Sequence, residues 1–366
     1  MALRLVAAVL FALLAATPGL AGGGGEQTGA GSTESGETGN EAAGERAGVP
    51  LELEVGYMPI LPVAQVFIME GEGWTQEAGL ELNLVRFQNG PAMVQAVASG
   101  ELDVMFFGIG PALVARGRGQ DIHVIASNII EQIALIAGGD LAQYWDEGEP
   151  ASLFARFREA EGRRARIGTF PQGSVPDIVL RYWLREQLGV SFDALEIVPM
   201  GADQVQQALL SGNVDGASIL EPVLTIVQER EPDTRILTRA DAMFPGQPGA
   251  VLAVRNELVE EHPEAVQRLV DLHVRATDFL QKNIAASAEH IVEFIGAGLV
   301  ETSTIEQALR SPSTNYMADP REIIGPTQRM HDFQLETGSL AERVNLDELF
   351  VTGFYEQAAD DRVTDE

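Results

Sequence analysis

The sequence predicts an α/β fold built as two lobes, and three observations carry that expectation. Strand-like and helix-like stretches alternate at roughly 25-residue spacing from Leu51 onward, the pattern of layered α/β proteins. A short phrase occurs twice, QAVASGELDV at 95–104 and QALLSGNVDG at 207–216, an offset of 112 positions. A strand–helix–strand–helix–strand order starts at 51, is interrupted by a polar, mixed stretch at 140–165, and then restarts. Two copies are too few for a solenoid. Two similar lobes that use one local device account for them.

Each element follows from its residues. LELEVGYMP alternates and stops in a Gly-Tyr-Met-Pro loop, so it reads as a strand, and VAQVFIMEGEGW reads as a helix with Gly73 near its end. LELNLVRF is a second alternating strand, closed by Asn89-Gly90-Pro91. AMVQAVASG is apolar at helical spacing, with Pro91 suited to a first helical position and Gly100 to the residue just past the end. VMFFG is a short buried strand, Pro111 opens the next helix, and IHVIASN and QIALIAG are further strands. The stretch 140–165 is expected to cross between lobes. Beyond it come the strand ARIGTFP, the amphipathic helix VPDIVLRYWLREQLG ended by Gly189, and the strand LEIVPM. The helix ADQVQQALLSG, ended by Gly212, leads to the strand GASIL, which runs into Glu221-Pro222. After about residue 246, AVLAVRNELVEEHPE reads as a strand and then a helix. The remainder is mostly helical and is expected to fold back on the first lobe as a closing cap.

At the N-terminus, Arg4 precedes LVAAVLFALLAA, about 12 apolar residues followed by small ones through Ala21. Those are the length and flanks of a secretory signal peptide, too short to span a bilayer. Residues 22–50 are mostly Gly, Ser, Thr, Glu and Ala, with too little apolar surface to offset their ordering entropy, so they read as a flexible linker. The chain has no cysteine, hence no disulfide and no lipid-modified thiol. Its formal charge is −30, which excludes nucleic acid and argues against an anionic membrane surface.

GIGPAL, at 108–113, follows a strand and opens a helix, but Leu113 stands where a dinucleotide fingerprint needs its third glycine. No cofactor is expected. The five histidines show no metal-ligand spacing, and neither GxSxG nor HExxH occurs, so neither a metal nor a catalytic residue is expected. What remains are loop ends. Helix N-termini at Asn89-Gly90, at Gly108-Ile109-Gly110 and at Gln172-Gly173-Ser174 present backbone N–H groups and a positive dipole end. Facing one cleft, they would hold a small anion or polar solute. Ser174 either caps the helix that starts near Pro176 or reaches the ligand. Tyr57, after a strand and before a Pro-bearing loop, and Glu221, at a strand end, complete the candidates.

GYMPILPVAQVFIMEGEGW, QNGPAMVQAVASGELDVMFFGIGPAL, GTFPQGSVPDIVLRYWLREQLGV and VPMGADQVQQALLSGNVDGASILEP together resemble the nitrate/sulfonate/taurine family of ABC-transporter substrate-binding proteins. The resemblance covers roughly residues 51–270. It implies a periplasmic-binding-protein type II fold, with lobe 1 at 51–139 and 246–366, lobe 2 at 140–245, and two crossings beside a ligand cleft. It implies a monomeric periplasmic carrier that delivers a small-molecule solute to ABC permease and ATPase subunits. Carried over by position, the ligand loops fall at Tyr57, Met58 and Pro59, at Asn89 and Gly90, at Gly108, Ile109 and Gly110, at Gln172, Gly173 and Ser174, and at Glu221. Relatives often have a basic residue where Gln172 stands, so a neutral heterocycle is expected alongside a nitrate-, sulfonate- or taurine-like anion. A pyrimidine-precursor enzyme and a soluble sensor are the rival readings.

Overall fold

A computed structural model describes residues 49–296, 298 and 300–365. The expected signal peptide (1–21) and nearly all of the expected linker (22–50) lie outside the described residues. In chain order the strands are β1 (Leu51–Tyr57), β2 (Leu80–Arg86), β3 (Val104–Gly108), β4 (Ile122–Ser127), β5 (Ile129–Ile130) and β6 (Ala134–Ala137). Then come β7 (Ala165–Thr169), β8 (Leu195–Pro199), β9 (Gly216–Ile219), β10 (Arg235–Arg239), β11 (Ala250–Arg255) and β12 (Asn315–Tyr316). The helices that position the site are α1 (Ala64–Gly71), α2 (Gly90–Ala98), α3 (Ile109–Gly117), α4 (Leu153–Glu161), α5 (Val175–Tyr182), α6 (Ala202–Leu210) and α7 (Val223–Arg230). The C-terminal helices include α8 (Pro263–Lys282), α9 (Ile284–Gly296), α10 (Thr302–Leu309) and α11 (Arg321–Thr337).

The strands build two five-stranded sheets, ordered β2-β1-β3-β11-β4 and β10-β6-β9-β7-β8, while β5 and β12 pair separately. Taken from its β8 edge, the second sheet repeats the first. β8-β7-β9 run parallel as β2-β1-β3 do, and an antiparallel strand, β6 or β11, follows each trio. β11 joins its trio only after the chain has passed through the second sheet, whereas β6 enters its own sheet directly from the first and precedes its trio. This corrects the expected boundary: Ala134–Ala137, assigned to the first lobe through residue 139, pairs with β9 and β10. The crossing therefore falls before β6, and the polar stretch at 140–165 carries α4 within the second half instead. A short buried apolar run carries no mark of which sheet it joins.

The repeated phrase is one device used twice. Gly100 (φ 80°) and Gly212 (φ 67°) supply the left-handed backbone just past α2 and α6. The Asp103 carboxylate accepts from the Glu54 N–H at 2.9 Å, and the Asp215 carboxylate from the Arg166 N–H at 2.7 Å. Each helix's return is thereby pinned to the first strand of its own parallel trio.

The C-terminal helices are shared between the halves. Phe67 of α1 stacks on Phe294 of α9 at 5.0 Å, which lays α9 against the first half. Thr304 of α10, however, donates to the Glu229 carboxylate of α7 at 2.7 Å, and Phe333 of α11 meets Tyr182 of α5 at 5.3 Å. The expected cap on the first lobe alone is thus a strap across both.

Candidate functional site

Two connections, 128–133 and 240–249, pass between the sheets and hydrogen-bond to each other. The Glu131 N–H donates to the Gln247 carbonyl at 2.8 Å and the Gly249 N–H to the Ile129 carbonyl at 3.1 Å. Glu131 adopts φ 51°, a left-handed conformation that costs a non-glycine residue about 1 kcal/mol or more. Its carboxylate accepts from the Gly246 N–H at 2.8 Å, which offsets part of that cost. Paired connections of this kind are the elements about which two halves of a chain can turn.

At the opposite edge, Arg86 at the end of β2 faces Asp203 of α6 at 3.9 Å, both well exposed. Between hinge and mouth, the carboxyl ends of β1 and β3 meet the β9 end and the α5 N-terminus. The cavity there measures about 20 Å³, lined by Met58, Ile60 and Phe107 from one side and by Phe170, Ser174 and Leu220 from the other. That is room for about one water molecule. The walls touch through glycines: a Cβ on Gly110 would lie 2.7 Å from the Gly173 carbonyl oxygen, and one on Gly108 would lie 2.8 Å from Val175 Cγ2. Only glycine permits this approach. As it stands the cavity admits nothing larger than water. A larger hollow, about 510 Å³, runs along Phe154 and Arg158 of α4 and involves none of these strand ends.

The structure distributes the expected site residues unevenly. Met58, Gly90, Gly108 and Ser174 line the cavity, and Gly110 and Gly173 form the contact across it. Pro59 and Ile109 are buried, and Gln172 is exposed. Asn89 caps α2, its Oδ1 accepting from the Ala92 N–H at 2.9 Å. Ser174 does not cap α5; its hydroxyl donates to the Pro171 carbonyl at 2.6 Å. Tyr57 packs edge-on against Phe67 at 5.6 Å, and burial pushes its hydroxyl pKa up, opposed by Arg86.

Glu221 departs furthest from its expected place at a ligand-facing strand end. It is 2 % exposed, does not line the cavity, and accepts from the Thr225 N–H at 3.0 Å. Burial pushes its carboxyl above the usual range, against the bonds from Ser311 and Thr225 and the charge of Arg239. A strand-end Glu-Pro gives no sequence clue to which way the side chain turns. Its carbonyl accepts from the Leu61 N–H at 3.4 Å, a tie between the halves.

Not anticipated from the sequence were the apolar walls and, above all, Gln132, which lines the cavity from the connection 128–133. The available signal was the polar pair Glu131-Gln132 interrupting the apolar run IIEQIALIA. Among the described residues no three His, Asp or Glu side chains gather as for a metal ion, and no helix is long and apolar enough to cross a membrane.

Two similar α/β halves, a paired hinge and a cleft at their strand tips make up the architecture of periplasmic solute-binding proteins. The profile of the NMT1-like family matches residues 47–296, and the chain belongs to that family. A Brucella abortus protein named as a binding protein is 28% identical over 231 residues, covering 62% of this chain and 66% of its own length. A Bacillus subtilis protein named for binding aliphatic sulfonates is 23% identical over 316 residues, covering 85% of this chain and 89% of its own. Among solved structures, the periplasmic nitrate-binding protein of Synechocystis superposes with TM-score 0.74 at 13% identity, over 85% of this chain and 89% of its own. The alkanesulfonate-binding protein of Xanthomonas axonopodis, bound to MOPS, gives 0.68 at 18% identity, over 83% and 99%. A desulfurization enzyme shares the fold at TM-score 0.60 and 17% identity, over 85% and 99%.

Proposed function

We propose that this chain is the exported solute-binding component of an ABC importer, working in the periplasm as a monomer and presenting a small solute to permease and ATPase subunits. The observation that carries this reading is the hinge of paired crossings beside a cleft whose opposed walls meet through Gly108 and Gly110. Solute contacts from both halves favour the closed state, and only a difference in affinity between open and closed states drives closure. The lobes are assigned accordingly: the first carries β1–β4 and β11, the second β6–β10, with the segment past β11 bridging both. The relatives named for sulfonate, taurine and nitrate binding support a carrier.

An enzyme is the second reading, because a desulfurization enzyme shares the fold. Against it stands Ser174, whose hydroxyl proton is committed to a backbone carbonyl rather than to a base. The test is a thermal-shift screen of nitrate, taurine, ethanesulfonate, bicarbonate and small neutral heterocycles, with product analysis of every hit. A solute at a hundred times its Kd should raise the melting point by roughly 5 °C, unchanged chemically. Turnover of a hit would overturn the carrier reading.

A further inference from the structure

We infer that the cleft takes a small neutral molecule with a mainly apolar body and one hydrogen-bonding edge, and that Gln132 reads that edge. The inference rests on the solute-binding reading and specifies its ligand class. Gln132 sits where hinge and cleft meet. Its N–H is fixed by Gln247 Oε1 at 3.0 Å, it is 2 % exposed, and its Oε1 has no hydrogen-bond partner. A buried amide oxygen without a partner in the protein is destabilising, and this one opens on the cavity, where a bound molecule can supply the missing donor. Around it the walls are apolar, with Met58, Phe107, Phe170 and Leu220 prominent, and among the described residues lining the cavity none carries a charge.

The helix ends compensate only in part for the missing charge, because four of their N–H donors are engaged within the protein. The Ala92 N–H is taken by Asn89, the Ile109 N–H by the Gly249 carbonyl at 2.9 Å, the Gly173 N–H by Asp177 and the Ser174 N–H by the Pro171 carbonyl at 3.1 Å. Of the three carboxyls next in sequence to lining residues, Asp177 and Glu221 are buried, the Asp177 carboxylate is paired with Arg181 at 2.7 Å, and the half-buried Glu131 carboxylate accepts from the Gly246 N–H at 2.8 Å. An ion of either sign would lose its hydration here without a counter-charge. A neutral, flat molecule loses little, and its polar edge completes Gln132.

Calorimetry on the whole chain tests this with benzamide, nicotinamide and indole against nitrate, taurine and benzenesulfonate, on the wild type and on Q132M. At least one neutral probe should bind, and Q132M should weaken it about tenfold or more, as losing one buried hydrogen bond does. The unliganded Q132M protein should melt no lower than the wild type, since an unsatisfied amide has been removed. A purely structural Gln132 would give the reverse, a lower melting point with affinity unchanged, and that overturns the assignment. If methionine prevents folding, Q132N, whose shortened amide falls short of the solute edge, gives the affinity readout alone. An anion that binds while the neutral probes do not overturns the neutral-ligand inference and leaves the carrier standing. Silence from all six overturns the inference, and conversion of a bound probe overturns the carrier reading itself.

Discussion

Asp215 and Asp103 occupy equivalent positions, yet they carry different loads. Asp103 accepts the Glu54 N–H, whereas Asp215 accepts the Arg166 N–H and both arms of Arg163, each at 2.7 Å. Burial pushes the Asp215 carboxyl up, but these bonds outweigh it and hold the group below the usual aspartate range. A carboxylate with a depressed pKa contributes stability that is full above its unfolded value and is lost as pH falls through its folded one. Asp215→Asn should therefore cost about 2 kcal/mol near neutral pH, and Asp103→Asn about 1 kcal/mol or less. The Asp215→Asn deficit should shrink as pH falls below about 4. Urea unfolding at several pH values checks both the asymmetry and its direction. The device itself was legible in the sequence, because it repeats in full. Its unequal burden was not, because Arg163 lies outside the repeated phrase.

Among elements, the glycine contacts decide how far the lobes can close. Ala at Gly110 would set a Cβ 2.7 Å from both the Gly173 carbonyl oxygen and Ile178 Cδ1, so the closed state is strained and the open state is untouched. Gly110→Ala should lower solute affinity about tenfold or more. Small-angle scattering should then show the radius of gyration staying at its open value with solute present; full closure would refute the role given to Gly110. The helices and parallel strands were readable because apolar period and glycine stops agree along each of them. The fourth strand of each sheet and the path of α11 were not. β6 and β11 are apolar on both faces, and Phe333 on α11 finds Tyr182 only through tertiary packing.

At the scale of the whole molecule, one passage of chain, 128–133, is at once hinge strand, crossing and cleft wall, since Glu131 pairs with Gln247 while Gln132 faces the cavity. On the proposed carrier reading, contact with a solute at Gln132 would bear directly on the connection between the lobes. Two further ties limit the swing, the Arg185–Glu336 pair at 2.6 Å and the Thr304–Glu229 bond, so opening must slide α10 and α11 over the second lobe or release them. Sequence order could place two lobes, but not these ties, because partners 75 and 151 residues apart leave no local pattern.

The most direct test of this picture measures the distance between the lobes. The chain has no native cysteine, so spin labels at Glu81→Cys on β2 and Glu196→Cys on β8, two exposed positions on the edges away from the hinge, report that distance alone. Double electron–electron resonance should show a longer separation without solute that gives way to a shorter one when the best hit of the thermal screen saturates the protein. An identical distance distribution with and without that solute would contradict it.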